Sequence, residues 1–356
     1  MPVESNRGRG ATRNSGPTRF NLPERSVEGD WLDSVEALDG VAPRRTTVTI
    51  EHPKTILTRN SSPDIGFDRS INAYRGCEHG CIYCFARPTH AFHDLSPGVD
   101  FESRLFVRPN AAQLLHAALS RPGYECAPIA MGTNTDPYQP IEERWRITRS
   151  LIELLLETRH PFSITTKSDR VLRDLDLLQP AAELGIVSVA ISVTSLDPQI
   201  SRTMEPRAPS GAKRIEAIRQ LNAAGVPCHV AIAPVVPQIT DHELEAIVEA
   251  AAGAYAVGGF YLPVRLPHEV APLFRAWLDD HFPDRASKVM ATIALMRGGR
   301  DNDPAFFSRM TGKGPWADLI RTRFDIAAKK YGLSQSKFGL RRDLFRPPEG
   351  AQMRLL

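Results

Sequence analysis

The chain of 356 residues contains no uninterrupted apolar run of the length that crosses a bilayer. Its first residues, Met1-Pro-Val-Glu-Ser-Asn-Arg, lack an apolar core segment, so no signal peptide is expected. Cysteine is scarce, with five residues of which three are clustered. That is not the spacing of a disulfide framework, and it suits a reducing cytoplasm. Charge of one sign is not in excess: the net charge of +3 makes no global demand for a polyanionic partner. No G-x-G-x-x-G follows the first predicted strand, which argues against a doubly wound dinucleotide-binding sheet. A cytoplasmic protein without a membrane segment is the expectation.

What is present is concentrated in residues 71–90, INAYRGCEHGCIYCFARPTH. Cys77, Cys81 and Cys84 stand there in C-x3-C-x2-C spacing. Soft thiolates select iron–sulfur clusters, zinc or Cu(I). Three ligands suit a four-iron cluster in which one iron lacks a protein thiolate. A structural zinc site wants a fourth ligand, for which His79, His90 and His93 are candidates, although the paired C-x2-C knuckles usual for zinc are missing.

Residues 1–45, rich in Arg, Ser, Gly and Pro with little apolar periodicity, are predicted to be a disordered tail. Thr46–Ile50 has the β-branched density of a strand, and Ser70–Tyr74 is the candidate first strand of the main sheet. Further strands are predicted over 128–131, 162–166, 187–193, 228–236 and 259–262. Helices are predicted between them: 110–120, one after Pro140 with Trp145, Thr148, Leu151, Ile152 and Leu155 along its buried stripe, one through Val171 and Leu178, 212–224, and 241–252 behind the capping box Thr240-x-x-Glu243. Alternating strands and helices predict a parallel sheet, and sequential right-handed crossovers curl six such units into a partial barrel. After Pro283 the strand signal disappears, and residues 283–356 read as a helical extension with helices over 287–297 and 317–331. The units expected are thus 1–45, 46–282 and 283–356. Between Arg321 and Arg346 basic residues outnumber acidic ones, the pattern of a nucleic-acid footprint or of a solvated helix face.

The cysteine spacing with Tyr83 just before the third cysteine resembles the signature of the radical S-adenosylmethionine (radical SAM) superfamily. The flanking residues 72–88, NAYRGCEHGCIYCFARP, resemble the branch related to spore photoproduct lyase, whose DNA-repair-like members lack an assigned substrate. Residues 195–198 and 204–209, and the turn 233–241, resemble further segments of that branch. The resemblance implies an α/β fold, a partial (β/α)6 TIM-like barrel, and an enzyme that uses a 4Fe–4S cluster on Cys77, Cys81 and Cys84 to cleave S-adenosylmethionine reductively. It also implies a one-electron reductant such as flavodoxin or ferredoxin. The substrate is unidentified, with nucleic acid one candidate class. The rival readings are a radical SAM enzyme acting on a protein or small metabolite, and a zinc-dependent nucleic-acid-binding module.

Parallel α/β barrels carry chemistry at the C-terminal ends of their strands. The polar residues expected there are 133–136, 166–167, 192–194, 234–237 and 263–265. By resemblance, Thr135, Asp136, Lys167 and Ser192 lie where the branch contacts S-adenosylmethionine, and Tyr83 packs near the adenine. Arg207 is expected to reach a ligand or to pair with Glu205 or Glu216. Cys126 and Cys228 fall near the opposite end of the strands and are read as packing residues. One departure stands out. Spore photoproduct lyases carry a hydrogen-donating cysteine just after the second strand, where this chain has Thr133. Quenching of the substrate radical is then expected to differ, with Tyr138 a candidate donor.

Overall fold

The computed structural model describes residues 8–11, 14, 45–333 and 339–348. In chain order the strands are β1 (Thr47–Ile50), β2 (Leu57–Arg59), β3 (Arg69–Ile71), β4 (Tyr74–Arg75), β5 (Arg104–Val107), β6 (Ile129–Met131), β7 (Phe162–Thr166), β8 (Val187–Ser192), β9 (Cys228–Val235) and β10 (Gly258–Pro263). The large sheet runs β10-β9-β8-β7-β6-β3-β2. Its six strands from β3 to β10 are parallel, and β2 lies antiparallel against β3. Spatial order follows chain order without reversal, so there is no topological switch point of the doubly wound kind. This is the six-unit parallel arrangement expected of the barrel.

One face of the sheet is covered by helices; on the other, Thr165 of β7 is exposed and Ser188 and Ala190 of β8 are only partly buried. Val187, Val189 and Ile191 of β8 are fully buried. They belong to one core with Leu151, Ile152 and Leu155 of helix Ile147–Glu157, Ile218 and Leu221 of Gly211–Ala223, and Ile247 and Val248 of Leu244–Gly253. Gly132, just past β6, has φ +88, and a Cβ there would meet the Thr165 carbonyl oxygen at 2.0 Å. Only glycine lets the end of β6 lie this close to β7.

The single helix expected after Pro140 is divided into Glu142–Trp145 and Ile147–Glu157 by Arg146, at φ +49. The buried Glu142 carboxylate accepts the N–H groups of Thr148 (3.1 Å) and Arg149 (3.4 Å), capping the second helix from outside it. The first barrel strand is also shorter than expected. It ends at Ile71, and Tyr74–Arg75 instead joins a separate sheet of order β1-β5-β4. Asn72 makes the break. Its carbonyl accepts from Arg108 at 2.9 Å, and its side-chain oxygen accepts the Asn134 N–H at 3.0 Å.

At the C-terminal end, Val270–His281 and Pro283–Met296 pack around Trp277 in a second apolar cluster that includes Ile82, Tyr83 and Met204. Helix Pro315–Tyr331 instead adds Ile320, Phe324 and Ala327 to the first core. Arg297 joins the two regions. Its buried guanidinium donates to the carbonyls of Pro263 (3.3 Å) and Val264 (2.8 Å) at the end of β10, and to those of Ser308 and Arg309 at 3.0 Å each. Among the described residues no helix is long and apolar enough to cross a membrane.

Most of the tail predicted over 1–45 lies outside the described residues. Its described part is seated on the cysteine loop. Arg9 donates to the Glu102 carbonyl at 2.6 Å, and the N–H groups of Gly10 and Ala11 donate to the Glu102 carboxylate at 2.9 and 2.8 Å. Ala11 is fully buried. A Cβ on Gly10 would fall 1.7 Å from the Gly80 carbonyl oxygen, so two glycine backbones touch directly.

Candidate active site

The cysteine loop is built around a buried cation. Arg87, with no exposed surface, donates to the carbonyls of Cys81 (2.9 Å), Gly80 (3.1 Å), Pro97 (3.0 Å) and Gly98 (2.9 Å), and pairs with buried Glu102. Backbone carbonyls that would otherwise be orphaned inside the protein are thereby satisfied. Gln139 ties the other side, accepting the Glu78 N–H at 3.0 Å and donating to the Gly76 carbonyl at 3.1 Å. The Ile82 N–H donates to the Met204 carbonyl at 3.0 Å, docking the loop on the segment after β8.

The loop carries the three free thiols of Cys77, Cys81 and Cys84. Burial raises all three thiol pKa values, that of Cys81 to about 12. Among the described residues no three His, Cys, Asp or Glu side chains are gathered to hold a single metal ion. The histidines considered as a fourth zinc ligand have other neighbours. His79 Nδ1 lies 3.3 Å from Asp136, His90 Nε2 is 2.9 Å from the Arg104 carbonyl, and His93 stacks on Phe106 at 4.4 Å between centroids. Three soft thiols on one loop fit an iron–sulfur cluster by donor chemistry.

Beside the loop stand the ends of β7 and β8. Lys167 Nζ donates to Ser192 Oγ at 3.2 Å and lies 5.7 Å from the centre of the Tyr83 ring. Ser192 Oγ donates onward to the Ala233 carbonyl at 2.9 Å. Burial opposes charge on Lys167, but its electrostatic coupling to Cys81 and Glu205 outweighs it, and its pKa is raised. Asp136 is wholly engaged: it accepts from Thr166 Oγ1 (2.6 Å), Lys167 N (2.7 Å) and Tyr138 N (2.9 Å). Burial would raise its pKa, yet His79 and these donors hold it at about 2. Thr135 is buried and donates to the Tyr74 carbonyl at 3.1 Å.

Residues 71–251 match the family model of the Radical SAM superfamily. The chain belongs to the radical SAM superfamily. An uncharacterized protein of Mycobacterium tuberculosis is 39% identical over 270 residues, covering 75% of this chain and 76% of its own. An uncharacterized protein of Methanocaldococcus jannaschii is 27% identical over 233 residues, covering 64% and 81% respectively. Among solved structures, spore photoproduct lyase complexed with dinucleoside spore photoproduct superposes with a TM-score of 0.56 at 14% identity, over 80% of this chain and 79% of that one. At that identity the likeness is one of fold. The protein is thus an enzyme of the radical SAM type with a spore photoproduct lyase-like fold.

In this radical SAM enzyme the most buried charged group at the mouth is Glu205, which the sequence offers only as a salt-bridge partner. Glu205 accepts from Thr194 Oγ1 at 2.7 Å, bonds the Tyr83 hydroxyl and pairs with Arg214, which is itself buried. Burial pushes the Glu205 carboxyl upward, but the cations of Arg214 and Lys167 hold it at about 2. The only signal available was its place in the segment Met204-Glu-Pro-Arg. Arg207 does not pair with Glu205 or Glu216. It reaches Glu78 in the cysteine loop at 3.1 Å. Tyr138 is fully buried, with its hydroxyl donating to Asp174 at 3.0 Å. Thr133 is bonded to the Asn72 side chain, which donates to its hydroxyl at 3.1 Å. Cys228 is buried as expected, whereas Cys126 is only partly buried. In the basic run near the C-terminus, Arg321 pairs with Asp318, Arg323 with Glu245 and Arg341 with Asp343.

Proposed function

We propose that this enzyme holds a 4Fe–4S cluster on Cys77, Cys81 and Cys84, binds S-adenosylmethionine against Tyr83, Lys167 and Ser192, and acts on a nucleic-acid substrate. The observation that carries the reading is the close approach of Lys167 to the cysteine loop, with its cation over the Tyr83 ring at 5.7 Å. When bound, the cluster and S-adenosylmethionine supply one-electron cleavage to methionine and a 5′-deoxyadenosyl radical that abstracts hydrogen.

The chain's own residues bind and orient. The Lys167 ammonium offers its remaining donors to a carboxylate. Ser192 supplies a hydroxyl lone pair, and the buried Tyr83 face supplies an apolar wall. Thr135 and Asp136 belong to the same site, where their engaged polar groups position the ends of β6 and β7. A one-electron reductant such as flavodoxin or ferredoxin is the partner this chemistry needs, and a cytoplasmic location suits the free thiols. Nucleic acid is supported by the fold likeness to a lyase solved with a dinucleoside spore photoproduct.

The test is anaerobic reconstitution with iron and sulfide, then reduction with S-adenosylmethionine present and assay of 5′-deoxyadenosine. Each of Cys77→Ala, Cys81→Ala and Cys84→Ala should lose the visible iron–sulfur absorption. A triple variant with full iron and sulfide would refute the assignment. Dinucleotide spore photoproduct supplied in the same assay should not be repaired in tight coupling to cleavage. The Thr133 O–H bond is far stronger than a thiol S–H, so Thr133 cannot return hydrogen as a cysteine does. Rapid, coupled thymine release would overturn that expectation.

A further inference from the structure

Phe85 directly follows Cys84 and is 45% exposed; Phe306 and Phe307, in the segment leading to helix Ser308–Thr311, are 53% and 62% exposed. Single exposed apolar side chains are ordinary. These three are set apart by what surrounds them. The Arg265 guanidinium, just beyond β10, lies 5.0 Å from the centre of the Phe85 ring, donates to Met310 Sδ at 3.6 Å, and feels the Asp64 carboxylate only at a distance. Among the described residues no carboxylate accepts a hydrogen bond from it. Arg309, by contrast, is forked onto Asp64 at 2.7 and 2.6 Å while its cation covers the Phe306 ring at 5.0 Å. The cysteine loop, the end of β10 and the C-terminal helices are thereby linked through side chains at one edge of the mouth.

The backbone under these rings is strained. Phe307 has φ +64 and ψ −56, and the Ser308 N–H donates to the Phe306 carbonyl at 2.8 Å. This is a γ-turn of the rare positive-φ kind, disfavoured for a bulky side chain. The Phe307 N–H donates to Asp64 at 2.9 Å and Ser308 Oγ to Asp303 at 2.6 Å, which hold the turn in place. Burial of Phe307 cannot be what maintains it, because the ring faces solvent.

We infer that Phe85, Phe306 and Phe307, with Arg265, form a platform that receives the unpaired bases and backbone phosphate of a single-stranded nucleic acid at the mouth. Exposed rings stack any base, and a guanidinium that donates to no carboxylate keeps its donors for a phosphate. The inference rests on the nucleic-acid reading above and names the strand state and the residues that meet it.

The test uses the anaerobically reconstituted holoenzyme and single-stranded DNA, single-stranded RNA and duplex DNA of one sequence, each carrying 2-aminopurine. Single strands should bind more tightly than duplex, with quenching of 2-aminopurine as it stacks. Phe306→Ala and Phe307→Gly should each weaken binding about tenfold. Arg265→Gln should weaken it and flatten its salt dependence by about one phosphate contact. Phe307→Gly keeps the positive φ without strain, so it should melt no lower than the parent, and its loss of binding reports the ring alone. Preference for DNA or for RNA identifies which single strand is the ligand. Equal affinity for duplex, or unchanged binding in all three variants, overturns the platform even if S-adenosylmethionine is cleaved. Ring-dependent binding without any such cleavage would uphold the platform and defeat the proposed reaction.

Discussion

The carboxylate of Asp136 accepts the backbone N–H of Lys167 at 2.7 Å, across the ends of two adjacent parallel strands. The same carboxylate faces His79 of the cysteine loop at 3.3 Å, so one buried acid sets both the proposed cation and the thiol loop. Asp136→Asn should lower unfolding stability by about 2–4 kcal/mol, the scale of charge-assisted bonds lost in a buried site. It should also reduce the iron retained after reconstitution. Urea melts and iron analysis together check this. A variant with the parent's midpoint and iron content would show that Asp136 braces neither element.

Lys167→Ala should weaken S-adenosylmethionine binding while leaving the iron–sulfur absorption intact. Losing one charge-assisted hydrogen bond costs about 1.5–3 kcal/mol, a rise in Kd of roughly ten- to over a hundredfold. Equilibrium dialysis against the reconstituted variant measures it, and an unchanged Kd would place Lys167 outside the binding site.

Glu205→Gln leaves Arg214 buried without its counter-charge, with Lys167 also facing that neutral group. Breaking one side of a buried pair typically costs about 3–5 kcal/mol. The double replacement Glu205→Leu with Arg214→Met should cost less than the sum of its single replacements, because neither charge is then stranded. Chemical denaturation of the four proteins of the cycle decides it; additive losses would mean that the pair is not coupled.

Acid should destabilise the fold well before its carboxylates titrate. Burial lowers the His160 pKa to about 4, while its Nε2 lies 2.8 Å from the Tyr124 hydroxyl and its Nδ1 3.0 Å from the Pro161 carbonyl. The unfolded chain takes up the proton near pH 6.5 and the folded one only near 4. Stability is therefore intact above about pH 6.5, falls as pH drops through that window, and levels off below it, for a loss of about 3 kcal/mol at most. His90, also lowered to about 4, behaves alike. In His160→Gln the slope between pH 6.5 and 4 should be shallower than in the parent, measured by urea melts at several pH values.

The strand succession was legible because apolar runs of four to eight residues alternate with helical stripes, and chain order alone dictates the crossovers. The thiol spacing was legible because it is local. The sheet of β1, β4 and β5 was not, since Tyr74–Arg75 is too short to signal a strand and is one only by pairing with Phe106 and Val107 some thirty residues on. Nor were the buried charges. Arg87 and Glu205 look in sequence like any surface residue, and burial is decided by which distant carbonyls and carboxylates arrive. Arg207 shows the same limit: Glu205 and Glu216 were its acids near in sequence, and the fold brought the distant Glu78 instead.

The contact between Gly10 and Gly80 restricts how relatives that share it can vary. A strand end or a thiol can be tested by eye in any relative, but this contact can be kept only when both positions lack a side chain. At position 10 a Cβ would collide with backbone, and at position 80, with φ +69, it would meet the Glu102 carboxylate at 2.8 Å. The two glycines and Glu102 should therefore be inherited or lost as a set. A relative that keeps the three cysteines but has lost one of these three residues has had to cover the back of its cysteine loop with something else.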